Sequence, residues 1–451
     1  MANKQMSIRS ILQQEIERKG FNLSQFSRYS DINRGTLSQV LNGNPPQLPS
    51  IADLDRLATV TAYSQEQLYA LYIEDCFREE ALHGKRLKNV LYRCVELNLN
   101  ELIQTMMQRL LAYPSQSKSV YDMAEHWYDE GHRQMLIPLY EYVTISEKYR
   151  SSDRIAISRY RIFQLSQTNN FEHNLHAAIA FEPYRNELPI GYRLDGLLKL
   201  ANIYFNQHLW KKVEQFADEL RELATSAYEH RLHMQENVDG ERGLETERHL
   251  VVYYGHGYLL KGNALEKQGL YEEAMMYIEG YRDLGWFEGV NECGNLEVAK
   301  FKNFAQANDL NLHILMGHKH KLNEYVNFLE QNPMEIIPGL LTIVESANKY
   351  QFLIDDILDL FAEEIEEGTN QKLLSDSYYS YSEMFDLDHY MDLYITLGIY
   401  YFRKAEYADG IKYISRYLET ANRINKKSDF IEYPELLNLL KEWSILLSKQ
   451  K

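Results

Sequence analysis

The sequence has little cysteine, proline or glycine and no long apolar run, and each shortage excludes something. Cys76, Cys94 and Cys293 are three cysteines in 451 residues. They are too few and too scattered for a disulfide framework, and none forms a CxxC pair, so a reducing compartment is expected. Ten prolines and 22 glycines argue against low-complexity linkers. No stretch approaches the roughly 20 apolar residues that cross a bilayer, and the opening MANKQMSIRS lacks the apolar core of a signal peptide, so a cytoplasmic protein without membrane contact is expected. Also missing are a phosphate-binding glycine loop, a GxSxG turn and any Cys/His arrangement close enough to propose a nucleophile. No enzyme, catalytic residue or cofactor is expected.

What remains is ordinary globular material, 45% hydrophobic and 25% charged, in a chain long enough for two domains or for one small domain plus a solenoid. The 35 tyrosines and 17 phenylalanines read as packing residues of helical pairs. The net charge is −17, but residues 1–50 hold six Lys/Arg against three Asp/Glu, so the basic end is the N-terminus and the rest is strongly acidic. Any contact with nucleic acid is therefore confined to a small head, which the acidic body helps to orient.

In that head, Ile8, Ile11, Leu12 and Ile16 fall at helical spacing, and Gly20 follows Lys19 as a stop. In the stretch Phe21 to Gly43, the side chains of Phe21, Phe26, Ile32, Leu37, Val40 and Leu41 can share one core, with small Ser27 where two helices approach. Asn33 is a good N-cap for a helix from Arg34 to about Leu41, and Asn42-Gly43 reads as a left-handed stop. Ser50 with Asp53 and Ser64 with Gln67 read as capping boxes opening two more helices.

The order of apolar and small positions, through Ile32, Asn33, Arg34, Leu37 and the closing Asn42-Gly43, resembles the Cro/C1-type (XRE) helix-turn-helix family. Two residues depart from its pattern: Leu23 stands where many members place a DNA-contacting Gln, and Asp31 occupies a turn position usually held by Gly. In such a head the first turns of the recognition helix face base edges while flanking groups hold phosphates. Arg34, Thr36, Ser38 and Gln39 are the exposed candidates, with Asn33 and Arg28 beside them. Arg34 suits guanine or a phosphate and Gln39 suits adenine. A helical hairpin that binds only protein is the bland alternative.

From about residue 84 helix follows helix, and the windows suggest a repeat. Gly262, Leu265, Gly269, Tyr271, Ala274 and Ile278 follow the spacing of a tetratricopeptide (TPR) helix pair. Gly398, Tyr401, Ala405, Tyr407, Gly410 and Ile414 repeat it, and Ala201, Tyr204, His208, Trp210, Val213 and Ala217 do so more loosely. A weaker copy has Ala124, Trp127, Gly131, Leu136 and Tyr140, and degenerate copies are expected over residues 155–185 and 309–333. Small residues let paired helices touch, and bulky ones fill the groove between pairs.

The expected fold is therefore all-α. A Cro/C1-type helix-turn-helix over 1–63 and a linker helix over 64–83 precede a TPR-like right-handed α-solenoid over 84–451, with peptide binding and dimerisation in the last. Asn202 and Asn263 share one repeat offset on the expected inner face, where an amide can both donate to and accept from a peptide backbone. Asp195, Asn206, His256 and Arg403 are expected on the same face. The alternative reading is that each Asn bonds a neighbouring helix end. His313, His318 and His320, like His230 and His233, match no structural zinc spacing, so no metal is expected. The acidic run from Asp355 to Gly368 reads as a solvated helix with Ile357, Leu358, Leu360, Phe361 and Ile365 turned inward.

Head and repeats together resemble the RRNPP (RRNPPA) family of peptide-responsive quorum-sensing regulators, arbitrium receptors included. The resemblance implies a homodimer that binds operator DNA through its heads and a short signalling peptide in its repeat groove. Two rivals stay open: a TPR scaffold or phosphatase-like inhibitor that sequesters a response regulator, and a helix-turn-helix repressor without a peptide ligand.

Overall fold

In the computed structural model, residues 6–44, 47–77, 84–133, 135–148, 153–168, 170–235, 246–367, 381–423 and 434–449 are described. Every regular element among them is a helix, as the periodicity predicts. The chain divides into two compact units, Met1–Tyr192 and Arg193–Lys451.

The first unit opens with α1 (Ile8–Lys19), α2 (Leu23–Ser30), α3 (Arg34–Asn42), α4 (Ile51–Val60) and α5 (Gln65–Cys76). It continues through α6 (Gly84–Glu96), α7 (Asn100–Leu110), α8 (Ser117–Asp129), α9 (Ile137–Ser146), α10 (Asp153–Leu165) and α11 (Phe171–Phe181). Helix ends follow the punctuation. Gly20 closes α1 in the left-handed conformation, and Ser64 and Gln67 satisfy each other's backbone N–H groups at the start of α5. Ser50 accepts from the Asp53 N–H, but the Asp53 carboxylate takes the Ser50 hydroxyl at 2.7 Å, so that box is only half closed. Asn42-Gly43 is a correction: Gly43 ends α3 with φ −60° and ψ 147°, an extended rather than left-handed exit.

One continuous core runs from Ile8 to Val143. α5 buries Leu68, Tyr69, Tyr72, Ile73 and Cys76 and packs against α1, α4, α6 and α7. The expected linker segment beyond residue 77, residues 78–83, lies outside the described residues. Helices one to nine therefore share apolar burial, the dominant favourable term in folding.

The second unit comprises α12 (Ile190–Asn206), which begins just before the division, and α13 (Trp210–Gln235), α14 (Leu250–Lys267), α15 (Tyr271–Arg282), α16 (Glu292–Leu315) and α17 (Leu322–Gln331). It then has α18 (Ile336–Tyr350), α19 (Asp355–Leu360), α20 (Ala362–Glu367), α21 (Tyr381–Arg403), α22 (Tyr407–Arg423) and α23 (Pro434–Lys449). Neighbours pack in succession: α13 on α14, α14 on α15, α15 on α16, α21 on α22. Alternate helices also meet, α14 with α16 and α16 with α18, and α18 meets α21 past the short α19 and α20.

The tight turns inside these hairpins share one chemistry. Asn98, Gly131, His208, Gly269, Gly317 and Ala405 all have positive φ. At each, the residue's own N–H returns to a carbonyl three back, and the next N–H reaches one five back, as in Gly269 to Glu266 and Leu270 to Leu265. This double closure satisfies carbonyls that a helix end leaves open. Three of these turns accept the left-handed backbone at a residue with a side chain, where it is disfavoured.

In the acidic run Leu358, Phe361 and Ile365 are buried and Ile357 is partly so, but Leu360 is half exposed. The helix breaks there, between α19 and α20, so the expected inward stripe loses one member.

Candidate nucleic-acid interface and ligand groove

The turn between α2 and α3 is built by three polar side chains. Asp31 takes the left-handed position with φ 55°, a conformation Asp tolerates better than most residues, and its carboxylate lies 3.6 Å from Arg56. Ser27 donates to the Ile32 carbonyl at 2.6 Å, using its smallness where the helices cross. Asn33 caps α3, its side-chain oxygen accepting from the Gly35 N–H at 2.7 Å.

α3 turns Leu37 and Val40 into the core. Asn33, Arg34 and Gln39 are exposed, and Thr36 and Ser38 are half-buried at the edges. Arg28 on α2 is exposed as well. Arg18 pairs with Glu15, Arg56 with Asp53 and Asp31, and Lys19 lies over the Tyr29 ring at 4.6 Å, whereas Arg9 on α1 is exposed and makes no ion pair among the described residues. Arg28 and Arg34 make no ion pair among the described residues. Leu23 is half-buried and packs against the core. Asn42 at the end of α3 is exposed too; its reading as a stop hid it from the list of contact candidates.

Asp55 holds α4 to its neighbours. One oxygen accepts from Tyr69 at 2.8 Å and from Gln65 at 3.1 Å, both on α5, and the other lies 3.1 Å from Arg93 on α6. Burial and the Asp55 charge push the Tyr69 phenol well above its ordinary range, so it remains a donor. Asp55→Ala removes the shared acceptor, and a loss of about 1–3 kcal/mol in urea unfolding is expected; an unchanged midpoint would show the hub to be dispensable.

In the second unit the expected peptide contacts have different surroundings. Asn202 is exposed and Asn206 half-buried on α12, and Asn263 is half-buried on α14; among the described residues none of their amides is hydrogen-bonded. His256 Nδ1 lies 2.9 Å from the Val252 carbonyl, its ring edge-on to Phe301, and burial lowers its pKa. Since a carbonyl only accepts, Nδ1 carries the hydrogen and Nε2 is left as an acceptor. Asp195 is 5% exposed and accepts from the Tyr253 hydroxyl and the Glu247 N–H. Burial holds its carboxyl above the usual range. Its acceptor capacity is spent tying α12 to the start of α14. Arg403, at the end of α21, is paired with Glu435 of α23, its Nε 2.6 Å from the carboxylate. Among the described residues no hydrogen bond or ring contact joins Arg403 to the other five.

A second constellation escaped the sequence reading. Lys267 of α14 is acted on by the charges of Glu266, of Glu345 on α18 and of Asp392 on α21. Half the Lys267 side chain is open to water and Glu345 is exposed, yet desolvation is the largest influence on both. Glu266 accepts from Asn311 of α16 at 3.1 Å, which adds a fourth helix. No local pattern marks these residues, since the cluster forms only when alternate helices stack.

Among the described residues no group of three or more His, Cys, Asp or Glu side chains is disposed to hold a metal ion, and no helix is long and apolar enough to cross a membrane. Neither protein-family models nor curated proteins give a match to this chain.

Proposed function

We propose that the chain is a DNA-binding transcriptional regulator and a cytoplasmic receptor for a short signalling peptide, acting as a homodimer. The observation that supports DNA binding best is α3 itself: a capped helix on a three-residue turn, with Arg34 and Gln39 exposed and Arg34 and Arg28 uncompensated in a chain of net charge −17. A helix so presented fits the major groove of operator DNA in the helix-turn-helix manner, Arg34 and Gln39 toward base edges and Arg28 toward phosphate.

The peptide reading rests on the second unit. Recurrent hairpins with one turn chemistry, successive packed helices and a cluster of charged groups drawn from α14, α16, α18 and α21 fit a TPR-like solenoid with an inner groove. Asn202, Asn206, Asn263 and His256 keep free polar atoms for a peptide backbone. Asp195 acts behind them as a support, and Arg403 is engaged by Glu435. Peptide bound to such a face changes helix-pair curvature, and with it the spacing of two heads on paired half-sites. A coupling of about 1–3 kcal/mol suffices for a useful switch.

Fluorescence anisotropy of DNA from upstream of the gene, with and without a candidate peptide encoded beside it, tests both halves. Arg34→Ala is expected to weaken binding by about 1–3 kcal/mol and relax preference at one base pair. Arg28→Ala is expected to weaken all sequences alike and reduce the salt slope by about one. Equal loss on specific and random DNA for Arg34→Ala would remove it from base reading. A peptide that leaves DNA affinity and oligomeric state unchanged would leave a repressor without a ligand.

A further inference from the structure

On the helix-turn-helix reading of the head, we propose that a second surface, outside that motif, holds the sugar-phosphate strand of the DNA that α3 reads. It is the cleft between the chain leaving α3 and the first turns of α6. The cleft measures about 850 Å3. Leu48 to Ala52 line it from the α3–α4 connection, and Arg86, Asn89 and Arg93 line it from α6.

The first wall is tied to the reading helix. The Gln47 N–H donates to the Gln39 carbonyl at 3.4 Å, so the chain enters the wall fastened to a residue whose exposed side chain is a base-reading candidate. A duplex seated on α3 presents the phosphates of the same few nucleotides to whatever flanks that helix, and such contacts fix its register. The second wall supplies the charge. Residues 85–88 bring three cations into four positions. Lys88 is exposed, makes no ion pair among the described residues, and stands one turn before Tyr92 at the edge of the lining face. Asn89 is exposed too, and its amide can donate to a phosphate oxygen.

The acids of the cleft do not cancel this charge. Leu48 to Ala52 carry none. Asp55 spends its oxygens on Tyr69, Gln65 and Arg93, and Arg93 is held in turn by Glu96 at 2.8 Å. Glu96 stands about 15 Å beyond Arg86 along the helix axis, at 1.5 Å per residue. Its charge, with that of Glu130, pushes the Tyr92 phenol up. That end of α6 repels a phosphate strand while the first turns attract it, so contact is confined to Arg86, Lys88 and Asn89. Like charges placed at a duplex add to affinity without reading sequence, and this surface therefore sets how tightly the head sits rather than which bases it chooses.

The test measures binding of the full chain to two labelled duplexes, one from upstream of the gene and one of random sequence, over a range of KCl concentrations. Lys88→Gln is expected to flatten the salt slope by about one on both duplexes, and Arg86→Gln with Lys88→Gln by about two. Lys302→Gln, an exposed lysine of α16, removes the same charge and is expected to leave the slope unchanged. Because Lys88 is exposed, the single variant stays informative even if the double variant folds poorly. Asn89→Cys in a Cys293→Ser background, alkylated with a photo-crosslinking group, is expected to join the DNA backbone beside the bases that α3 protects. Unchanged slopes in the α6 variants, with Arg34→Ala still relaxing base preference, overturn the second surface and leave the reading of the head standing. No binding of either duplex by the wild type overturns both. A crosslink to a second copy of the chain instead of DNA gives the cleft to protein and overturns the proposal.

Discussion

Glu125→Ala is expected to lower the unfolding free energy by about 3–5 kcal/mol, the cost of leaving one member of a buried ion pair without its partner. Arg161 is 7% exposed. Its Nε and Nη2 donate to the two Glu125 oxygens at 3.1 and 3.0 Å, its Nη1 reaches Gln164 at 3.2 Å, and the guanidinium lies 3.7 Å over the Tyr128 ring. The same carboxylate accepts from the buried Tyr140 hydroxyl at 2.6 Å. Burial opposes the arginine's charge, and it is Glu125 that maintains it. Alanine therefore strands a guanidinium and a phenol at once. The paired replacement Glu125→Leu with Arg161→Met is expected to recover most of the loss, because two apolar groups need no partner. Urea unfolding of the three variants measures this; a loss below about 1 kcal/mol for Glu125→Ala would mean that water reaches the pair. Since α8 belongs to the continuous core that includes α1–α5, the single variant is also expected to lose DNA binding at a lower temperature than the wild type.

What was legible in the sequence was its local chemistry. Asn33 caps α3, Gly20 ends α1, and His208, Gly269 and Ala405, placed at one repeat offset by the spacing of Tyr and Ala residues, take the left-handed turn together. These features depend on residues within one or two helical turns of each other. The misplaced features depend on distance along the chain. Asp195 looks like a groove residue until Tyr253, 58 positions later, is found bonded to it. The head looks like a unit of about 63 residues, but its core continues to Val143, because amphipathic stripes show that a helix buries a face without showing against what. Asn42-Gly43 is the local exception: the pair permits a left-handed exit without requiring one. The candidate DNA face lies on the legible side of this division. The charged cluster lies on the other, since Lys267, Glu345 and Asp392 meet only through stacked helices.

The small residues of the repeat show the same division in energy and give the sharpest contrast between two substitutions. The repeat spacing singles out Gly262, yet a Cβ added there meets the Ala274 carbonyl oxygen and Tyr277 Cβ at 3.6 Å, ordinary contact. Gly257, five residues earlier and outside the repeat pattern, is where α13 and α14 approach closest to forbidding a methyl: its Cβ would lie 2.7–2.9 Å from the Cβ, Cα and backbone nitrogen of Arg221. Backbone cannot swing aside as a side chain can, so the helices themselves must part. Gly262→Ala is therefore expected to stabilise the protein by about 0.5–1 kcal/mol through helix propensity. Gly257→Val is expected to destabilise it by about 3 kcal/mol or more, since overpacking and a β-branched side chain act together. Parting α13 from α14 also disturbs Lys261, which sits 2.8 Å from Asp218 and 3.0 Å from Glu214 across that seam, and shifts Asn263 two residues further along. Peptide affinity is then expected to fall in Gly257→Val at temperatures where the protein remains folded, while Gly262→Ala leaves it intact. Thermal unfolding followed by circular dichroism decides the first part, and equal stability of the two variants would mean that the α13–α14 seam yields without cost.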